Sequence, residues 1–153
     1  MKIKIGDIIP PFESTNENGE LVNSESLKGT KTILFFYPKD DTPGCTKEAC
    51  SLRDNYTKFR QNGYHILGIS PDNEKKHKKF IEKFEFPFSL IADPDKKILD
   101  AFGLYGPKKF MGKDVMGVYR TTVVTDENNK ITHIIDKVRT DDHADQLAEV
   151  LGL

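Results

Sequence analysis

The sequence predicts an α/β fold: a central mixed sheet flanked by helices, in one domain over residues 1–153. Three observations carry this. Two apolar runs, Ile33–Tyr37 and Tyr64–Ser70, read as strands, the first continuous enough to be buried on both faces, and an amphipathic helical pattern lies between them. A strand, a crossover helix and a second strand make a right-handed βαβ unit with parallel strands. Farther on, Val118–Thr125 and Lys130–Val138 flank the turn sequence Asp126-Glu127-Asn128-Asn129, which predicts an antiparallel hairpin.

The remaining elements follow in order. Pro10-Pro11 blocks regular structure, and Asn16-Glu17-Asn18-Gly19 turns between short extended pieces at Phe12–Thr15 and Glu20–Asn23. Ser24–Leu27 allows one helical turn before Gly29. After the first buried strand, Ala49, Leu52, Tyr56 and Phe59 recur three and four apart, giving one helix that runs to Gly63. A second helix follows Pro71-Asp72-Asn73 and extends to Phe84, with Phe80, Ile81 and Phe84 as its apolar side. Its basic run, Lys75-Lys76-His77-Lys78-Lys79, reads as a solvated face. Phe86–Ile91 is a short strand, and Asp93-Pro94 opens a helix through Phe102. Gly103–Gly117, rich in Gly and Lys, reads as a loop. Asp141 or Asp142 caps a final helix with Ala144, Leu147, Ala148 and Leu151 inward. This order is the thioredoxin-like arrangement.

Charge and composition exclude several functions. The net charge is −1, with 37% hydrophobic and 31% charged residues. That gives no electrostatic case for nucleic acid or an anionic membrane. Met1-Lys2-Ile3-Lys4 lacks the apolar core of a signal peptide, so the chain is assigned to the cytoplasm. There, a cysteine pair is more often redox-active than a structural staple. The four histidines show no ligand spacing with one another or with the cysteines, so neither metal nor cofactor is expected.

The chemistry gathers at Cys45. The run ending at Tyr37 stops at the turn Pro38-Lys39-Asp40-Asp41-Thr42-Pro43-Gly44, and a helix begins at once with Cys45 in its first turn. Unpaired backbone N–H groups and the positive end of the helix dipole both favour thiolate over thiol there. The only other cysteine, Cys50, lies five residues on in the same helix. Ideal geometry separates such Cα atoms by about 8.7 Å, from about 7.5 Å of rise and about 140° of rotation. A disulfide needs less than about 7 Å. Cys45 and Cys50 therefore cannot bond while the helix is intact. Either Cys50 is an inert helix residue, or the first turns unwind after Cys45 is oxidised.

Pro38, Thr42 and Cys45 at their spacings, with Glu48-Ala49-Cys50 and the distal Tyr119-Arg120-Thr121-Thr122, resemble the peroxiredoxins, in particular their bacterioferritin comigratory protein (PrxQ) branch. Gly68-Ile69-Ser70-Pro71-Asp72 and Asp93-Pro94-Asp95 resemble the same family, so the likeness covers nearly the whole chain. Ile9 and Thr121 are mild departures, at positions where the family often has Ala and Ser. The resemblance implies a thiol peroxidase acting on hydrogen peroxide and organic hydroperoxides. Cys45 would be the peroxidatic thiol and Cys50 the resolving one, with thioredoxin or a similar dithiol as reductant. Thr42 would supply a hydroxyl, Gly44 and Cys45 their amides, and Arg120 a guanidinium. Pro38 would shield the sulfur, and Glu48 would orient Arg120. Lack of a long C-terminal arm leans toward a monomer or, at most, a weak dimer. Two rivals are a thiol–disulfide oxidoreductase and a non-enzymatic module, either a metal or copper chaperone or a degenerate thioredoxin-fold interaction domain. The first wants cysteines two residues apart, and a chaperone wants a further soft ligand nearby.

Overall fold

The computed structural model describes all residues from Met1 to Leu153. Its centre is a five-stranded mixed sheet built from β3 (Lys31–Phe36), β4 (Tyr64–Ser70), β5 (Ser89–Ala92), β8 (Thr121–Thr125) and β9 (Ile131–Ile135), in the order β5-β4-β3-β8-β9. β3 pairs parallel with β4 and antiparallel with β8, so it is the central strand. Short strands β1 (Glu13–Thr15) and β2 (Leu21–Asn23) form a separate antiparallel pair at the entrance.

Alternation along β3 separates two cores. Ile33, Phe35 and Tyr37 face one layer, made by α1 (Pro43–Asp54), α2 (Tyr56–Gln61), α3 (Glu74–Phe84) and α5 (His143–Leu151). Leu34 and Phe36 face the other, which holds α4 (Lys97–Phe102) and the N-terminal Ile3, Ile9 and Phe12. The result is a thioredoxin-like α/β/α sandwich with a mixed sheet, as the sequence predicts. No helix is long and apolar enough to cross a membrane.

Gly68 in β4 is required by close packing. A Cβ there would lie 2.6 Å from Leu90 Cδ2 and 2.7 Å from Phe35 Cζ. Gly68→Ala is therefore expected to destabilise the fold by about 2 kcal/mol through overpacking, read as a lower denaturation midpoint with an unchanged slope.

Three expectations need correction. The helix after Cys45 is two helices, broken at Asn55. The Asn55 side-chain amide donates to Ser51 O at 2.9 Å, taking the carbonyl that its own N–H would use in a continuous helix. Its N–H goes instead to Leu52 O at 3.3 Å.

The supposed loop at 103–117 is a hairpin of β6 (Tyr105–Phe110) and β7 (Lys113–Val118). It turns through Met111 and Gly112 at φ 52° and 78°, a two-residue turn of the kind antiparallel strands favour. Finally, the basic helix is not wholly solvated. His77 has no exposed surface and lies on the same side as Phe80.

Candidate active site

The loop from Pro38 to Thr42 lies beyond the carboxyl end of β3, where folds of this architecture place ligands. It is held from below. The Tyr37 hydroxyl donates to Asp40 Oδ1 at 2.5 Å, and His77 Nδ1 meets Asp40 Oδ2 at 2.7 Å. His77 Nε2 meets Ile91 O at 3.1 Å, so the ring ties the loop to β5. The Asp40 N–H donates to Asp72 Oδ2 at 2.8 Å. Burial first, then the neighbouring Asp40, pushes the Tyr37 phenol well above its ordinary pKa, so it remains a donor. The helical spacing of His77, Phe80, Ile81 and Phe84 is the sequence signal that would have placed His77 on the buried side.

Pro43 occupies the first helical position of α1 and Thr42 the cap. The first backbone bond of the helix runs from Thr46 N–H to Thr42 O at 2.8 Å. The amides of Gly44 and Cys45 precede it and have no helical carbonyl to bond. Thr42 does not cap the helix with its side chain. Its hydroxyl donates to Lys39 O at 2.9 Å, leaving Oγ1 free to accept rather than donate.

Cys45 is 1% exposed and packs with Ala49 and Leu52 in the core. Arg120, between β7 and β8, donates from Nη1 to Cys45 Sγ at 3.4 Å and to Glu48 Oε1 at 2.7 Å. Gly44 leaves room for this approach: a Cβ there would lie 3.3 Å from Arg120 Nη2 and push the guanidinium back by a few tenths of an ångström. Desolvation acts against the Arg120 cation, but Cys45 and Glu48 outweigh it and hold its pKa above the ordinary value. Glu48 is completely buried, and that burial raises its carboxyl to about 7 against the opposing pull of Arg120.

A recess of about 640 Å³ leads to this point, walled by Pro38, Thr42, Gly44 and Arg120 on one side and by Tyr105, Phe110 and Met116 of the hairpin on the other. Phe110 and Met116 are 60% and 59% exposed, so an apolar collar stands open at its rim. Reading this stretch as a loop hid the paired strands that set Tyr105, Phe110 and Met116 on the recess. Cys50 lies elsewhere, half-buried beside a second recess lined by Lys47, Asp54, Asp141 and Asp145. Burial first pushes its thiol pKa up, with Arg53 opposing and Asp54 adding to the rise. Both cysteines are free thiols. No group of three or more His, Cys, Asp or Glu converges in a way that could hold a metal ion.

A buried sulfur at a helix N-terminus, bonded to a guanidinium beyond the central strand of a thioredoxin-like sheet, defines a thiol-based redox enzyme. The AhpC/TSA family pattern matches residues 5–134, and the chain belongs to that family, as a peroxiredoxin of the Bcp/PrxQ type. It is 41% identical over 143 residues to peroxiredoxin Bcp of Escherichia coli, covering 94% of this chain and 92% of that protein. Two solved structures are also similar. Peroxidoxin BcpB of Mycobacterium tuberculosis has a TM-score of 0.85 at 35% identity, covering 98% of this chain and 97% of that one. The bacterioferritin comigratory protein of Xanthomonas campestris, whose structures concern alkyl peroxide reduction, has a TM-score of 0.85 at 30% identity over 92% and 90%. The chain is accordingly a thiol peroxidase, an oxidoreductase that consumes peroxide and a thiol reductant.

Proposed function

We propose that Cys45 is the peroxidatic thiol and that residues 1–153 act as one domain reducing hydrogen peroxide and organic hydroperoxides. The Arg120 Nη1 to Cys45 Sγ contact of 3.4 Å carries this reading. The Cys45 thiolate attacks the terminal peroxide oxygen in line, the S–O bond forming as the O–O bond breaks. The leaving alkoxide or hydroxide takes a proton and departs as alcohol or water, leaving a sulfenic acid. Negative charge spreads from sulfur onto both oxygens in the transition state, so donors fixed in advance lower the barrier. Arg120 and the amides of Gly44 and Cys45 are those donors. Thr42 Oγ1 accepts the peroxide O–H, and Pro38, which has no N–H, limits water around the sulfur.

In the second half of the cycle, the Cys50 thiol attacks the sulfenic sulfur, forms a disulfide and releases water. A dithiol protein such as thioredoxin then reduces that disulfide by exchange. Burial raises the Cys50 thiol in the reduced helix, which leaves peroxide to Cys45; unwinding removes that burial and frees Cys50 to attack as the thiolate. A monomer in the reducing cytoplasm, where such reductants are maintained, fits this cycle.

The test is single-turnover thiol oxidation by one equivalent of peroxide at neutral pH, with free cysteine as reference. The protein should react orders of magnitude faster than free cysteine, and Cys45→Ser should lose that reaction entirely. A rate matching free cysteine would reject the assignment. The collar gives a second readout, because Phe110→Ser combined with Met116→Ser should cost several-fold more against a bulky aryl hydroperoxide than against hydrogen peroxide.

A further inference from the structure

Glu48 has no exposed surface, and one of its two carboxylate oxygens makes no hydrogen bond. Oε1 accepts from Arg120 at 2.7 Å. Beside Oε2, at 3.7 Å, the structure sets Nε2 of His143, which is equally buried. A buried oxygen without a partner calls for a physical reason.

The tautomer of His143 follows from its neighbours. Nδ1 lies 2.9 Å from Gln146 Oε1, and the same amide donates from Nε2 to Lys137 O at 2.9 Å, which fixes which end is oxygen. That oxygen can only accept, so Nδ1 carries the ring proton. Nε2 is then a lone-pair acceptor, facing the Thr122 hydroxyl at 2.8 Å. Burial lowers the His143 pKa to about 4, which keeps the ring neutral. Glu48 Oε2 and His143 Nε2 are thus two acceptors facing each other with no hydrogen between them. The Nε2 lone pair is already taken by the Thr122 hydroxyl and no donor reaches Oε2, so a proton on Oε2 removes the uncompensated negative charge that would otherwise be buried there.

We propose that Glu48 carries a proton on Oε2 in the reactive, reduced enzyme, and that its ionisation draws Arg120 away from Cys45 and slows the peroxide reaction. Glu48 is then a positioning residue acting through Arg120. This rests on Cys45 being the peroxidatic thiol. The same nitrogen, Arg120 Nη1, serves Cys45 Sγ at 3.4 Å and Glu48 Oε1 at 2.7 Å. A neutral Glu48 leaves the positive charge to the thiolate and its transition state, whereas an ionised one competes for it. The groups around Glu48 are Cys45 on its own helix, Arg120 from the β7–β8 link and His143 on α5, whose Nε2 is in turn held by Thr122 on β8. Behind His143 lies the Arg139–Asp142 ion pair at 3.0 Å. Arg120 is the only cation bonded to Glu48, so Glu48 and the sulfur draw on one guanidinium.

The experiment is the single-turnover rate of the reduced protein with hydrogen peroxide, across about pH 5 to 9, for the wild type and Glu48→Gln. The wild-type rate should pass through a maximum and fall about five- to tenfold on the alkaline side, as Glu48 ionises. Glu48→Gln, neutral at every pH, should lose that alkaline limb. A wild type without the limb, or a variant that keeps it, overturns the proposal. Infrared difference spectra of the reduced wild type give a readout independent of the variant's folding and of activity. A protonated-carboxyl C=O band should disappear as pH rises through neutrality, and its absence at acid pH also overturns the proposal. A wild-type rate no faster than free cysteine would reject the reading of Cys45, while the infrared band would still decide the protonation of Glu48.

Discussion

Arg120→Met is expected to slow the reaction of Cys45 with hydrogen peroxide by about a hundred- to a thousandfold, the range seen when one preorganised donor to a developing anion is removed. Methionine keeps length and apolar contact but donates nothing, so the sulfur loses the cation that holds its charge. Two consequences separate this from simple misfolding. Glu48 is left buried without its cation, and a carboxyl already raised to about 7 holds its proton more firmly rather than unfolding the protein. The variant should therefore retain its circular dichroism and a cooperative transition. Arg120→Lys should fall between, at about tenfold, because a flexible, strongly hydrated ammonium keeps the charge but not the fixed donor direction that sets Nη1 between Sγ and Oε1. A well-folded Arg120→Met protein with the wild-type rate constant would remove the guanidinium from the mechanism.

The parts of this site that the sequence announces are local ones. Cys45 follows a buried strand and a Pro- and Gly-containing turn within a few residues, so strand, turn, helix start and thiol can all be read in one stretch. Arg120 is 75 positions away, and only its family resemblance, not any periodicity, pointed to Cys45. What escaped notice has a common cause. His77 and His143 are polar residues on buried helix faces, and their burial depends on partners, Asp40 and Thr122, supplied by other elements. The hairpin over 105–118 hid its alternation behind glycines and lysines. It stands apart from the main sheet, so no continuous apolar face marks its strands. The break at Asn55 turned on one side-chain bond to Ser51 O, which a spacing argument cannot see.

The largest structural change is expected on oxidation. Residues five apart in a helix sit about 8.7 Å apart at Cα, beyond the reach of a disulfide, and Cys45 and Cys50 both lie inside α1. A Cys45–Cys50 bond therefore requires the first turns of α1 to unwind. The structure sets where that unwinding should stop. Ser51 Oγ accepts the Ala144 N–H at 3.0 Å, and Arg53 Nη1 donates to Phe84 O at 2.9 Å, so the helix is tied to α5 and α3 from Ser51 onward. N-terminal to that point, the cross-element polar ties of the helix are the Arg120 contacts and an exposed Lys47–Asp141 pair at 3.4 Å, a surface pair worth little. Sulfenic acid formation disturbs the first of these by neutralising the thiolate. Peroxide-treated protein should therefore yield a monomer with a 45–50 disulfide on peptide mapping. Its amides over 46–50 should exchange about a hundredfold faster or more, while those of α2 from Phe59 onward, whose acceptors lie beyond the unwound turns, keep their protection. Cys50→Ser should react with peroxide at an undiminished rate, keep α1 protected and accumulate a sulfenic acid that dimedone traps. A disulfide formed with the 46–50 amides still protected would contradict the helical geometry on which this rests. No disulfide at all would assign resolution to a thiol from another molecule.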